Sequence, residues 1–179
     1  RRLIGSLEEE CAMKVRDIMK PRTYTCRGDA TLAEAAAVMA EHACGILPII
    51  EPESFRLLGV ITDRDVCLGA LAQKKPLESI PVRSAFSWRL VTCREDDDIL
   101  TLCRAMSENG VRRLPVTNRR GAVVGLVSLD DLAQLACKVE GDEGVVLRDT
   151  VTRTLAAIGQ TICRHQGPMT TEITAVEED

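Results

Sequence analysis

Two short stretches carry the residues best suited to chemistry: Gly59-Val60-Ile61-Thr62-Asp63-Arg64-Asp65 and Gly125-Leu126-Val127-Ser128-Leu129-Asp130-Asp131. Each closes an apolar run with a hydroxyl residue and sets an aspartate three positions later, at the start of a helical pattern. That spacing supports two uses. A Ser or Thr at the N-cap with an acid at the third helical position forms a capping box and needs no ligand. The same helix start offers unpaired N–H groups and a hydroxyl to a phosphate, and the aspartate to ribose hydroxyls. The two uses are compatible, because an empty site still needs a cap. A second pair of stretches, Gly45-Ile46-Leu47-Pro48 and Arg112-Arg113-Leu114-Pro115, places a proline inside an apolar run. Proline donates nothing to a strand ladder, so it belongs at an edge or bend. Carbonyls and amides there can face a planar base, or simply form an irregular edge.

Other chemistries find little support. The two histidines, His42 and His165, lie beside no nucleophile motif such as GxSxG, and there is no P-loop and no GxGxxG. The pairs His42/Cys44 and Cys163/His165 are metal-ligand types, but no zinc-ribbon spacing connects them. Asp96-Asp97-Asp98 falls at a helix start, where acids offset the macrodipole. No metal site and no catalytic set is expected. The eight cysteines contain no CxxC pair and read as small buried hydrophobes of a reducing cytoplasm; a thiol-based sensor is the minor alternative.

The 179 residues are 45% apolar and 28% charged, a balance that builds a globular core. Aromatic residues make up only 2%, so the core is aliphatic and a base-stacking surface for single-stranded nucleic acid is not expected. A net charge of −4 argues against a nucleic-acid polymer as partner. No apolar run reaches the ~18 residues of a membrane span. Arg1 in first place means the native start need not be included.

The elements that must position the duplicated stretches are themselves duplicated. Aligned at an offset of 67, Val15–Ile50 and Val82–Thr117 share eleven of thirty-six residues, among them Arg22/Arg89, Thr25/Thr92, Arg27/Arg94, Asp29/Asp96 and Pro48/Pro115. With so many identities at one offset, the chain reads as two copies of one unit, each β-α-β-β-α. In the first copy Thr23–Cys26 predicts a strand and Thr31 with Glu34 caps a helix carrying Leu32, Ala35, Ala36 and Met39. Ile46–Ile50 and Leu57–Thr62 predict a hairpin, and Asp63–Ala72 a helix with the stripe Val66, Cys67, Ala70, Leu71. The second copy answers with Ile99, Leu102, Cys103 and Met106, then strands Arg112–Thr117 and Ala122–Ser128, then helix Leu129–Val139 with the stripe Leu132, Ala133, Ala136, Cys137.

The divisions that follow are an N-terminal helical arm (1–14, with a helix over Ser6–Met13), repeat one (15–72), a linker (73–81) and repeat two (82–139). After these come an amphipathic helix within 140–166 and an acidic tail (167–179) expected to be disordered. The C-terminal helix, read over Gly144–Cys163, carries Leu147, Val151, Leu155, Ile158 and Ile162. That face must cover either its own core or another subunit.

Together these stretches resemble the cystathionine-β-synthase-type domain, the CBS domain, in the tandem form called a Bateman module. The resemblance covers about Val15–Val139 and rests on Val15-Arg16-Asp17-Ile18-Met19, Gly45–Pro48, Gly59–Asp65 and their second-copy partners. It implies an α/β fold in a pseudo-twofold pair, clefts between the repeats, an adenosine ligand (AMP, ADP, ATP or S-adenosylmethionine), a homodimer and regulatory, energy-sensing work without catalysis. A regulated partner protein is a further implication, and a scaffold protein with vestigial clefts is the alternative. Carried over by position, Thr62 and Asp65 hold phosphate and ribose in one cleft, and Ser128 and Asp131 in the other. Gly45, Ile46, Leu47, Pro48, Arg112, Arg113, Leu114 and Pro115 line the base side, and Thr25 and Thr92 complete the walls. Arg64 beside Asp65 favours phosphate in the first cleft, whereas Asp130 stands at that position in the second, with Arg112 and Arg113 as partial compensation.

Overall fold

The computed structural model describes residues 13–165; the expected Ser6–Met13 helix, but for Met13, and the 167–179 tail lie outside them. Repeat one runs β2 (Cys26–Arg27), α2 (Leu32–Glu41), β3 (Ile46–Ile50), β4 (Leu57–Thr62) and α3 (Asp63–Gln73). Repeat two runs β5 (Cys93–Arg94), α4 (Ile99–Asn109), β6 (Arg113–Thr117), β7 (Val123–Ser128) and α5 (Leu129–Lys138). A single turn α1 (Val15–Ile18) and a short strand β1 (Lys20–Pro21) precede them, and α6 (Gly141–His165) follows. The linker folds as two 3₁₀ turns, Leu77–Ser79 and Val82–Ser84.

Each repeat builds the same sheet. The first strand pairs parallel to the second, Cys26 opposite Ile49 and Cys93 opposite Val116, and the second pairs antiparallel to the third. Both hairpins slip register at the same place, between Ile49 and Ile50 and between Val116 and Thr117. The first strand is shorter and later than Thr23–Cys26, because only Cys26–Arg27 reaches its neighbour.

The two repeats are tied by an exchange of leading segments. Val15, first in repeat one by sequence, is wholly buried in the core of repeat two with Ile99, Leu102 and Leu132. Its copy Val82 is wholly buried in the core of repeat one with Leu32, Leu47 and Ile61. The backbone repeats the trade: Val15 N–H donates to Asp97 O at 2.9 Å and Val82 N–H to Ala30 O at 2.9 Å. Each segment then crosses the other repeat's last strand. Ser87 N–H donates to Val60 O at 2.9 Å, and Lys20 lies opposite Leu126.

The duplicated Gly59 and Gly125 stand under these crossings. A Cβ on Gly125 would lie 2.7 Å from Lys20 O and 2.9 Å from Met19 Sδ, and one on Gly59 would collide with the buried Phe86 ring. Glycine is present because another backbone lies against it. The hairpin turns add a last tie, with Leu57 N–H donating to Gly121 O at 3.4 Å and Val123 N–H to Phe55 O at 3.2 Å.

Three helical stripes differ from the pattern read in sequence. In α3, Cys67 and Leu71 are exposed, and Val66, Gly69, Ala70 and Gln73 turn inward. Gly69 lets α3 approach α2, since a Cβ there would lie 3.1 Å from Leu32. In α5, Ala133 and Cys137 are exposed, while Leu129, Leu132 and Ala136 are buried. In α6 the inward face runs through Leu147, Val151, Thr154 and Ile158, leaving Leu155 47% exposed. Thr154 is buried because its hydroxyl donates to Thr150 O at 2.8 Å, so no polar group is stranded. Each stripe had two phases a hundred degrees apart, and packing chose between them. α6 lies on α4 and α5 of its own chain, with Arg148 donating to Ala136 O at 2.9 Å and Thr161 to Ser107 O at 3.0 Å.

Gly59→Ala is expected to destabilise the protein by about 1–3 kcal/mol through forced displacement of Phe86. A urea-unfolding midpoint unchanged from wild type would show that the crossing has slack.

Candidate functional site

β4 delivers Thr62 to the N-cap of α3, and β7 delivers Ser128 to the N-cap of α5. Both capping boxes are closed. Thr62 N–H and Oγ1 donate to Asp65 Oδ2 at 2.8 and 2.7 Å, while Asp65 N–H donates back to Thr62 Oγ1 at 3.2 Å. Ser128 N–H and Oγ donate to Asp131 Oδ2 at 2.9 and 2.5 Å, and Asp131 N–H returns a bond of 3.2 Å. The cap uses one carboxylate oxygen in each case. The other oxygen differs between copies. Asp131 Oδ1 meets Lys20 Nζ at 3.3 Å, whereas Asp65 Oδ1 has no partner among the described residues.

A cleft of about 360 Å³ opens beside Thr62 and Asp65. Gly45 and Ile46 from repeat one line it together with Arg112, Arg113, Leu114 and Pro115 from repeat two. These are eight of the residues singled out in the sequence, brought together by the crossing. The rest fall elsewhere. Leu47 and Pro48 are buried in β3 and do not line the cleft, although their second-copy partners Leu114 and Pro115, also buried, do. Arg64 is exposed and lies outside the lining; its N–H donates to Asp63 Oδ1 at 2.7 Å. Thr25 is likewise outside, and Thr92 lines a different cavity. Ser128 and Asp131 belong to the pseudo-equivalent position across the pair.

Sequence reasoning missed part of the wall: Val60, Ser87, Arg89, Val91, Asn109 and Val111. Arg89 was visible as the identical partner of Arg22, but its position in an irregular stretch gave no sign of where it would face. The cationic character also comes from other residues than expected. Arg112 and Arg113 stand in the Thr62–Asp65 cleft itself, and Arg89 joins them there; its Nη2 donates to Asn109 Oδ1 at 3.5 Å. Arg113 is held loosely by Asp130 at 4.0 Å.

The positions that correspond to Val91 and Asn109 in the other copy are Tyr24 and His42. Their rings stack with centroids 3.6 Å apart and planes within 3°. The two halves of the pair thus present different surfaces at corresponding positions: guanidinium, aliphatic and amide groups in one, a lysine–aspartate pair and an aromatic stack in the other.

Comparison with known proteins agrees with this architecture. The profile of the CBS domain matches residues 15–69 and 80–137. The chain belongs to the CBS-domain family. It is 32% identical over 119 residues to the CBS domain-containing protein YhcV of Bacillus subtilis, a match covering 66% of this chain and 82% of that one. Among solved structures, it resembles the CBS domain pair of protein MJ0100 in complex with 5-methylthioadenosine and S-adenosyl-L-methionine, with 28% identity and a TM-score of 0.61 over 69% of this chain and 94% of that one. Hypoxic Response Protein I, solved with two coordinated zinc ions, gives 30% identity and a TM-score of 0.62 over 68% of this chain and 98% of that one. In this CBS pair, no group of three or more His, Cys, Asp or Glu side chains that could hold a metal ion occurs among the described residues. No helix among them is long and apolar enough to cross a membrane.

The thiols divide by burial. Desolvation, with Glu34 adding to it, pushes the Cys26 thiol up to about 11, and desolvation, with Asp97 adding to it, pushes Cys93 up to about 12. Thiolate is the reactive form, so both are inert near neutral pH. Alkylation of the folded protein at pH 8, mapped by mass spectrometry, is expected to label the exposed Cys67 and Cys137 well before Cys26 and Cys93. Early labelling of Cys93 would contradict this packing.

Proposed function

We propose that this CBS pair is a regulatory module that binds one phosphorylated adenosine compound, such as AMP, ADP or ATP, in the Thr62–Asp65 cleft. The observation that carries the reading is the contrast between the two aspartates. Asp65 keeps one carboxylate oxygen unpaired beside an open cleft, while Asp131 gives the corresponding oxygen to Lys20. An unpaired acceptor suits a ribose diol. Arg89, Arg112 and Arg113 along the same wall suit phosphate, through charge-assisted hydrogen bonds. Three guanidinium groups disfavour the sulfonium of S-adenosylmethionine, even though the MJ0100 pair was solved with that compound. A ligand touching both repeats biases their relative packing by its differential affinity for the two arrangements, and this is how occupancy becomes a signal without catalysis. In the second half of the pair, Lys20 on Asp131 and Tyr24 on His42 take up the places a nucleoside would use.

A second copy of the chain is the partner we assign to α3. Its outer face carries Leu68 and Leu71, 49% and 71% exposed, and among the described residues no helix covers it as α6 covers α5. Sedimentation of Leu71→Glu is expected to give a monomer where wild type gives a dimer; a wild-type monomer overturns the assignment.

Isothermal titration with AMP is expected to give one site per chain. Asp65→Asn retains an acceptor for the cap and should weaken binding about tenfold or more, the cost of one charged hydrogen bond. Arg112→Gln should do the same for AMP but not for adenosine. Lys20→Met should raise the stoichiometry towards two. The absence of heat and of thermal stabilisation with AMP, ATP and S-adenosylmethionine alike would favour a scaffold protein with vestigial clefts.

A further inference from the structure

A second, larger cavity, about 670 Å³, lies at the opposite end of the repeat-two sheet. The first cleft is lined by Arg113 at the start of β6; this one is lined by Thr117 at its end. Four arginines surround it: Arg94 from β5, Arg119 and Arg120 from the β6–β7 turn, and Arg56 from the hairpin turn of repeat one. The chain as a whole is acidic, at −4, so four cations on one cavity are a local departure.

Pseudosymmetry explains why these cations are available. In repeat one, Arg27 is clamped by Asp29, its Nε and Nη2 donating to the two carboxylate oxygens at 2.9 and 2.8 Å. Arg94 and Asp96 are the copies of that pair, yet they do not meet. Arg16, carried over from repeat one by the exchanged segment, takes Asp96 at 2.6 Å, and Arg119 approaches its other oxygen at 3.8 Å. Asp97, also on the cavity wall, has its carboxylate engaged with the Arg94 backbone N–H at 2.7 Å. Among the described residues, the guanidinium groups of Arg56, Arg94 and Arg120 have no carboxylate partner. The Arg-x-Asp pair that closes on itself in one repeat is therefore opened in the other.

We infer that this cavity is an anion site for a short chain of phosphates, bridging the two repeats through Arg56. A single phosphate would satisfy one or two of the guanidinium groups; a di- or triphosphate can engage arginines contributed by both hairpin turns at once, with bidentate geometry at each. The chemistry is shared by inorganic oligophosphate and by the phosphate tail of a nucleotide. The groups are exposed, so the attraction is screened by salt over about 8 Å at physiological ionic strength. The site is independent of the Thr62–Asp65 cleft and of what that cleft binds.

The test is titration of the full chain with inorganic tripolyphosphate at low salt, comparing wild type, the surface pair Arg94→Gln/Arg120→Gln, and Arg89→Gln/Arg112→Gln, with thermal melts to check folding. Binding should weaken at least tenfold in the first pair, persist in the second and fall with added salt. ATP, titrated into Arg89→Gln/Arg112→Gln, separates the sources: binding that then disappears on further addition of Arg94→Gln/Arg120→Gln assigns the nucleotide tail, and tripolyphosphate binding alone assigns the free anion. No tripolyphosphate binding, or binding indifferent to Arg94→Gln/Arg120→Gln, overturns the proposal.

Discussion

The interaction on which the rest of this molecule depends is the crossing of each repeat's leading segment over the other repeat's last strand. Phe86 and Ser87 lie on Gly59 and Val60; Met19, Lys20 and Pro21 lie on Gly125 and Leu126. The crossings place Val15 and Val82 in each other's cores, so neither core is complete without a segment attached to the other repeat. Backbone contact at this range is possible only over glycine. The walls of the cleft follow directly: Ser87, Arg89 and Val91 reach Thr62 because the crossing carries them there.

A symmetric device gives an asymmetric result because the exchanged segments carry different side chains. Position for position, Lys20 answers Ser87, Tyr24 answers Val91 and His42 answers Asn109. The shorter set leaves space beside Asp65, whose second carboxylate oxygen has no partner among the described residues. The longer set supplies a cation to Asp131 and a ring stack. The same exchange places Arg16 on Asp96, and Arg94 stands apart from that acid although its counterpart Arg27 holds the equivalent Asp29. The duplication made two equivalent places, and differences on the crossing segments and at the ends of α2 and α4 made them unlike.

Much of this was legible in the sequence. Identities at one offset disclosed the duplication, the paired apolar runs with turn residues between them gave the hairpins, and Thr31/Glu34, Thr62/Asp65 and Ser128/Asp131 marked helix starts that are capped as read. What was not legible depends on contacts far apart in the chain. Periodicity alone could not choose between the faces that bear Thr154 and Leu155, because the choice is made by α4 and α5. Val15 reads as the start of its own repeat, and nothing local says that it is buried in the other. Arg64 stands next to Asp65 in sequence but turns to solvent, while Arg89 and Arg112 arrive from repeat two. The identity of Arg22 with Arg89 was a usable signal; the exchange that gives it meaning was not.

The most direct test of the account is a crystal structure of the protein grown with AMP. The account predicts one nucleotide per chain, its ribose on Asp65 and its phosphate among Arg89, Arg112 and Arg113, with Lys20 still on Asp131. A nucleotide seated instead on Ser128 and Asp131, with the Thr62–Asp65 cleft empty, would contradict it.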